Sequence, residues 1–444
     1  MLKMKSDKRY GIAVLGCGTV GGGTAKILVE DNKFLRERTN IPLFLKYIVD
    51  VKFDHAKAIG LPENLYEKDF DKVLKDPEVD IVVELIGGTT LAKDFIIKAL
   101  KAGKNVVTAN KALLAHYGRE LFAEARKNGV VIGFEASCGG GIPIIRALHD
   151  GLLANRNEAL FGIVNGTCNY ILTQMTQNGK TYAEALAEAQ RDGLAEANPT
   201  LDVSGLDSAH KLVIMSSLAF GKYVSLQSTP VIGIDTLDLS DVLAGQELGY
   251  TIKLIAMAKK SSDGRISTIV CPAFIDKKHP LAWVSGAFNA VSVYGHAVGH
   301  TMYYGRGAGA SPTASAVTSD IISILSGATE KFFNTYPIWL DNLPEADMLP
   351  YGLSEEKFYI RFNVLDKPGV LAKVTAIFAK HNISIASVVQ KNEKKEEHSI
   401  PIVIITHYAL EGDIADALKE ISFLDELSGN TVCIRIMEEH KEKF

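Results

Sequence analysis

The sequence predicts an α/β protein: a doubly wound parallel sheet, then an α+β domain, then a small βαββαβ unit at the C-terminus. Three observations carry this prediction. Residues 1–150 alternate short apolar runs with amphipathic helical stretches, the rhythm of a parallel sheet covered on both faces. From 151 to 335 longer helices mix with strands in no such alternation. Residues 358–444 repeat the order strand, helix, strand, strand, helix, strand. At 444 residues the chain exceeds one simple core.

The first unit opens on GIAVLGCGTVGGGTAKILVE, residues 11–30. Gly16, Gly18 and Gly21 fit G-x-G-x-x-G between an apolar strand (12–15) and a helical stretch (24–30). The first two glycines allow a tight turn and close approach of a ligand. The third lets helix and strand pack closely, and the helix N-terminus offers N–H groups to a pyrophosphate. Alone, the pattern equally suits an ordinary strand-to-helix turn. Further strands at 43–51, 80–88, 104–111 and 129–136, with a helix at 90–103, supply the Rossmann-type context that makes it a dinucleotide signal.

In the middle unit, helices are expected at 181–193 and 205–221, and strands at 265–275 and 292–305. Residues 336–357 hold Pro337, Pro344, Pro350 and several acids, the composition of a linker crossed by few contacts. The tail, 358–444, turns at Asp366-Lys367-Pro368-Gly369 into a helix with Val370, Leu371, Val374, Ile377 and Phe378 on one face. A charged hairpin is expected around KNEKK, 391–395.

Composition narrows the class. With 47% apolar and 23% charged residues and a net charge of −4, the chain has no basic footprint for nucleic acid. No apolar run approaches the ~20 residues of a membrane span. The N-terminus mimics a signal peptide only until the glycines interrupt it. Five scattered cysteines form no Cys-x-x-Cys pair, which points to a reducing cytoplasm rather than a disulfide framework or a zinc site.

Chemistry is expected where strands end. Lys111 lies just beyond the strand KNVVTA, on the side where open α/β sheets hold ligands. Asp207 and Lys211 are spaced i, i+4 on an apolar helix. Such a pair is ordinarily a helix ion pair worth about 0.3–0.5 kcal/mol. At the border of core and cleft, a carboxylate also holds an ammonium in place as a general acid. Glu196 and Asp202 lie upstream on a Pro-interrupted loop, where they either receive a substrate ammonium or cap the next helix. His210 is expected to be a packing or surface residue.

Together these segments resemble the homoserine dehydrogenase family. GCGTVGGG, ELIGG, TANKALLA, EASCGGGIPII, GIVNGTCNYILT, the stretch from Glu196 through Asp207 to Lys211, and GRGAGASPTASAVTSDI stand in family order between about residues 10 and 335. The tail, with its DKPGVLA turn, resembles an ACT domain, a small-molecule sensor. The resemblance implies interconversion of aspartate 4-semialdehyde and homoserine with NAD or NADP. It implies Lys211 as proton donor supported by Asp207, Lys111 between cofactor and substrate, and Glu196 and Asp202 on the substrate amino group. For the cofactor it implies Gly16, Gly18, Thr19, Val20, Gly21, Asp50, Thr89, Lys111 and Gly309. A monovalent cation such as Na+ is implied at Glu135, Cys138, Gly140 and Ile142, largely through backbone carbonyls. A homodimer or homotetramer and a regulatory amino acid at the ACT domain, threonine first, complete the expectation.

One departure concerns the cofactor. The second strand ends KYIVDVKF, where many family members carry an arginine suited to a 2′-phosphate. Asp50 instead suits the free ribose hydroxyls of NAD, with Lys52 two residues on as a partial offset. The competing readings are another ACT-bearing dehydrogenase, for phosphoglycerate or prephenate, and a non-catalytic sensor. The first pair rely on a cleft histidine that has no convincing counterpart here, and the second is opposed by intact Lys111, Asp207 and Lys211.

Overall fold

Strand β1 (Tyr10–Leu15) is buried from Gly11 onward and runs through the middle of the first sheet. The computed structural model describes residues 8–390 and 399–441. In it, β2 (Leu43–Val49) and β3 (Tyr66–Glu67) extend this sheet on one side of β1. On the other side follow β4 (Val79–Glu84), β5 (Asn105–Thr108) and β6 (Ile132–Gly133). The order β3-β2-β1-β4-β5-β6, all parallel, is doubly wound as expected. Chain direction across the sheet reverses between β1 and β4, so a crevice opens beyond their carboxyl ends.

The expected strand at 129–136 shrinks to the two residues of β6. Asp320 is the reason: its Oδ2 accepts the Glu135 amide at 2.8 Å, and the chain turns there into a 3-10 helix, Glu135–Ser137.

A second sheet spans the rest of the molecule. Its order is β11-β10-β7-β8-β9-β16-β12-β14-β13. The middle unit contributes β7 (Asn157–Ile163), β8 (Tyr250–Lys260), β9 (Ile266–Asp276), β10 (Phe288–Gly295) and β11 (Gly299–Arg306). The single strand expected at 292–305 is thus a hairpin, turning between Gly295 and Gly299. The tail contributes β12 (Glu355–Leu365), β13 (Ile385–Gln390), β14 (Ser399–Thr406) and β16 (Val432–Met437), while the short β15 (Ala409–Leu410) pairs with β12. Helices Val370–Lys380 and Glu411–Ile421 cover one face, burying Val374, Phe378, Ile414 and Ile421 against Ile360 and Phe362. The charged hairpin expected at 391–395 lies outside the described residues.

Two expectations about independence do not hold. The tail does not stand apart: β16 pairs in parallel with β9, Arg435–Met437 lying opposite Ala273–Ile275. Nor is the segment before it crossed by few contacts. Trp339, Leu340 and Leu343 are buried in the main core. Arg126 holds Asp341 through two nitrogens, and Arg119 pairs with Glu345 and donates to the Leu343 carbonyl at 2.6 Å. Apolar anchors between the prolines tie this stretch to the first unit, and its last residues already belong to β12. Among the described residues, no helix is long and apolar enough to cross a membrane.

Candidate active site

Three chain ends converge beyond the carboxyl edge of the first sheet. Lys111 is the first residue of the helix Lys111–Lys127, three residues after β5, and the Asn110 side chain caps that helix through the Leu113 amide. The helix Leu206–Phe220 starts at Gly205, whose φ of +85° suits glycine, and is buried from Asp207 to Ala219. Val164 and Asn165 follow β7, and Asn165 caps the helix Gly166–Asn178 through the Cys168 amide at 2.8 Å.

One carboxylate serves two lysines. Lys111 Nζ lies 3.1 Å from Asp207 Oδ1, and Lys211 Nζ lies 2.7 Å from Asp207 Oδ2. Lys211 also donates to the Val164 carbonyl at 2.6 Å. An ammonium has three N–H donors. Two are therefore spoken for, and the third is available to a ligand. Burial disfavours the charge on Asp207, but the two ammonium groups outweigh it and hold the carboxyl well below its ordinary range. Burial likewise opposes the charge on Lys111, and Asp207 more than compensates, raising its pKa. The i, i+4 pair is thus buried and joined by the half-buried Lys111 in a three-member cluster, rather than a surface ion pair.

Asn165 is the member that sequence reasoning missed. Its Nδ2 donates to Asp207 Oδ2 and to Asp202 Oδ1, both at 2.8 Å, which ties the catalytic candidates to one of the substrate candidates. Burial pushes Asp202 above the ordinary aspartate value, with Asp207 adding to the rise against the Asn165 hydrogen bond. Glu196 is exposed on the preceding loop, and only its carbonyl is held, by Gln190. The structure therefore joins Asp202 to the cluster, whereas among the described residues no hydrogen bond or ion pair brings Glu196 to it. His210 is buried beside His116, and burial lowers its pKa to about 4, consistent with a neutral packing residue.

The glycine loop meets the fit expected for a dinucleotide phosphate. A side chain at Gly21 would strike the Gly16 carbonyl at 1.9 Å, so that glycine serves helix–strand packing. A side chain at Gly18 would meet nothing within 4 Å, and no side chain caps the helix Thr19–Glu30 that starts there. Open space therefore lies over the helix N-terminus, where Thr19 and Val20 begin the first turn. Asp50 Oδ2 accepts the Cys17 amide at 2.6 Å, and Oδ1 accepts the amides of Val51 and Lys52. This carboxylate is thus locked beside the loop. Thr89 is half-buried after β4, and Gly309, at φ +121°, opens the helix Ala310–Leu325, whose Ala310 packs on Gly23.

At the expected cation site, both Glu135 carboxylate oxygens are taken by the amides of Ile145 and Arg146. Cys138 is buried, with its thiol directed at the Lys211 carbonyl. Gly140 presses on the backbone of Gly307, and the Ile142 carbonyl accepts the Ile144 amide at 2.8 Å. Cys138, Gly140 and Ile142 can offer a cation main-chain oxygens, and the Glu135 carboxylate keeps lone pairs beyond these two amides.

Comparison with known proteins identifies the family. Residues 143–322 match a family model described as homoserine dehydrogenase, residues 16–135 its NAD binding domain, and residues 358–423 the ACT domain. A homoserine dehydrogenase of Pseudomonas aeruginosa is 40% identical over 96% of this chain and 98% of its own length. The crystal structure of a homoserine dehydrogenase from Thiobacillus denitrificans superposes with a TM-score of 0.91 at 41% identity, covering 97% of this chain and 99% of that one. A hyperthermophilic archaeal homoserine dehydrogenase in complex with NADPH gives a TM-score of 0.59 at 28% identity, over 71% of this chain and 97% of that one. Both the catalytic and the NAD-binding models match in order, and full-length relatives share this architecture. The chain belongs to the homoserine dehydrogenase family of oxidoreductases and carries a C-terminal ACT domain.

Proposed function

We propose that this chain interconverts L-aspartate 4-semialdehyde and L-homoserine, with Lys211 as the proton donor in reduction and acceptor in oxidation. The observation that carries the reading is the Lys111–Asp207–Lys211 cluster, whose two cations are fixed by one buried carboxylate at the mouth of the dinucleotide crevice. A nicotinamide cofactor, held at the glycine loop, supplies or accepts the hydride. As the aldehyde carbon is reduced, negative charge grows on its oxygen. Lys211, with one N–H left uncommitted, stabilises that charge and then protonates it. Lys111 adds a second positive field from the cofactor side. Asp202 and Glu196 take the substrate ammonium. Steady-state assays with homoserine and either cofactor test the reading, and absence of turnover with both would refute it.

Asp50 favours NAD. Its carboxylate, fixed beside the glycine loop by the Cys17 amide, accepts hydrogen bonds from ribose hydroxyls and repels a 2′-phosphate. The expected result is a higher kcat/KM with NAD than with NADP, and a shift of that ratio toward NADP in Asp50→Ser. A tenfold preference of the unmodified enzyme for NADP would assign control of the pocket to Lys52 or another cation. A monovalent cation such as Na+, if bound near residues 135–142, would rest on oxygens of Glu135, Cys138, Gly140 and Ile142, three of them main-chain carbonyls.

The ACT domain is the site of a regulatory amino acid, with threonine first among the end products. The N-terminus of the helix Val370–Lys380, opened by Gly369 at φ +92° and free of a side-chain cap, suits a carboxylate. Asn382, at φ +56°, ends the same helix in the left-handed conformation that asparagine tolerates. Millimolar threonine is expected to inhibit the full-length homodimer or homotetramer and to give a calorimetric binding signal. Indifference in both measurements would exclude threonine as the effector.

A further inference from the structure

Glu84 is the last residue of β4, fully buried, and lies opposite Thr108 in the parallel register of β4 and β5. Nothing in the catalytic cluster touches it. Its Oε1 accepts the amides of Ile86 at 2.9 Å and Gly87 at 3.1 Å, and its Oε2 accepts the Thr108 hydroxyl at 2.7 Å. The Thr108 oxygen in turn accepts the Asn110 amide at 3.0 Å. The Asn110 side chain then closes a ring, donating to the Gly88 carbonyl at 2.6 Å while its own oxygen caps Leu113. The loop after β4 and the loop after β5 are thereby locked to each other. The first abuts the dinucleotide cradle, since Gly16 packs against the Leu85 carbonyl. The second delivers Lys111.

The polarity of this ring is set at Glu84. An ionised carboxylate only accepts, so it obliges the Thr108 hydroxyl to donate toward it. That leaves the hydroxyl oxygen free for the Asn110 N–H, which holds Asn110 in the geometry from which the Lys111 helix begins. A glutamine that keeps its oxygen on the Ile86 and Gly87 amides turns its NH2 toward Thr108, and the hydroxyl proton loses its acceptor.

Resting on the functional reading above, we propose that Glu84 is a positioning residue for hydride transfer, acting through Thr108 and Asn110 to aim the Lys111 ammonium at the space between cofactor and substrate. It touches no reactant. Its contribution is the register of Lys111 against Asp207, and errors of about 1 Å in such a group cost up to about 10² in rate.

A double-mutant cycle tests this. Glu84→Gln and Thr108→Val are each expected to lower kcat about tenfold with a smaller change in KM for homoserine, while Thr108→Ser, which keeps the hydroxyl, restores kcat. In a Lys111→Met background, Glu84→Gln and Thr108→Val are expected to lower kcat no further, because the group they aim is gone. Thermal unfolding reports whether each variant is folded, and Thr108→Val decides if Glu84→Gln is not. Equal kcat losses with and without Lys111, or wild-type kcat in folded Thr108→Val, would overturn the inference. A wild-type enzyme inactive with both cofactors would instead overturn the functional reading, and this inference with it.

Discussion

Lys211→Met is expected to lower kcat by at least about 10², the scale of a general-acid contribution, with cofactor affinity nearly unchanged. Methionine fills a similar volume in a site where Lys211 is only 8% exposed, so the helix around it need not repack. Asp207 is not left unpaired, because Lys111 remains 3.1 Å from its other oxygen and Asn165 still donates to it. The usual penalty of about 3–5 kcal/mol for stranding a buried charge is therefore avoided in large part. Only the Val164 carbonyl loses its donor. Fold and cofactor binding should survive while turnover collapses. Steady-state kinetics, a fluorescence titration with the reduced cofactor and a melting curve separate the three. Wild-type kcat in this variant would reduce the Lys211–Asp207 pair to a helix ion pair.

The second large effect is on stability. Arg361→Met is expected to destabilise the protein by about 3–5 kcal/mol, the range measured when one partner of a buried pair is removed. Asp241, on the helix Leu239–Glu247 of the middle unit, is wholly buried. It accepts from Arg361 Nε at 2.5 Å and Nη2 at 2.8 Å, and from the Tyr359 hydroxyl at 3.0 Å. Without Arg361, among the described residues the tyrosine alone remains as a side-chain donor to this buried carboxylate. Because Arg361 and Tyr359 lie on β12, the loss should also loosen the ACT domain on its support. The double variant Asp241→Asn, Arg361→Met should recover part of the loss. Denaturant unfolding checks both, and an unchanged midpoint for Arg361→Met would mean the pair contributes nothing to docking. The same bond alters how the regulatory role is best tested. Truncation after Pro350 removes the partners of Asp241 and uncovers β9, so point variants at the Gly369 turn are the cleaner probe.

The dinucleotide unit was legible because its signals are local. Spacing alone marked Gly16, Gly18 and Gly21, and each strand after them is a short apolar run bounded by turn residues. The substrate region was legible in parts but not as a whole. An i, i+4 pattern exposes Asp207 and Lys211, and a strand end exposes Lys111, yet no local rule says that both lysines share one carboxylate. Asn165 was hidden by its own ordinariness: an asparagine before a helix is expected to cap it, as Oδ1 here does, and the second role of Nδ2 is a tertiary fact. β8 was not legible because its buried run, apolar but for Thr251 and Lys253, suits a buried helix as well as a strand buried on both faces. The stretch 336–357 misled for a related reason. Prolines and acids describe the backbone and the surface, whereas Trp339, Leu340 and Leu343 decide what the stretch touches.

The pairing of β9 with β16 also bears on how the chain is made. One strand of that pair ends at Asp276 and the other begins at Val432, so the edge of β9 at Ala273–Ile275 stays open until β16 has been made. Such a long-range parallel contact is slow to form, and the uncovered end of β9 is a ready template for misassociation in the interval. A nascent or prematurely terminated chain lacking β16 would therefore present a sticky flank rather than a smaller working enzyme. The second sheet is complete only when β16 docks, and a cell that clears unfinished chains by their exposed edges would recognise this one until then.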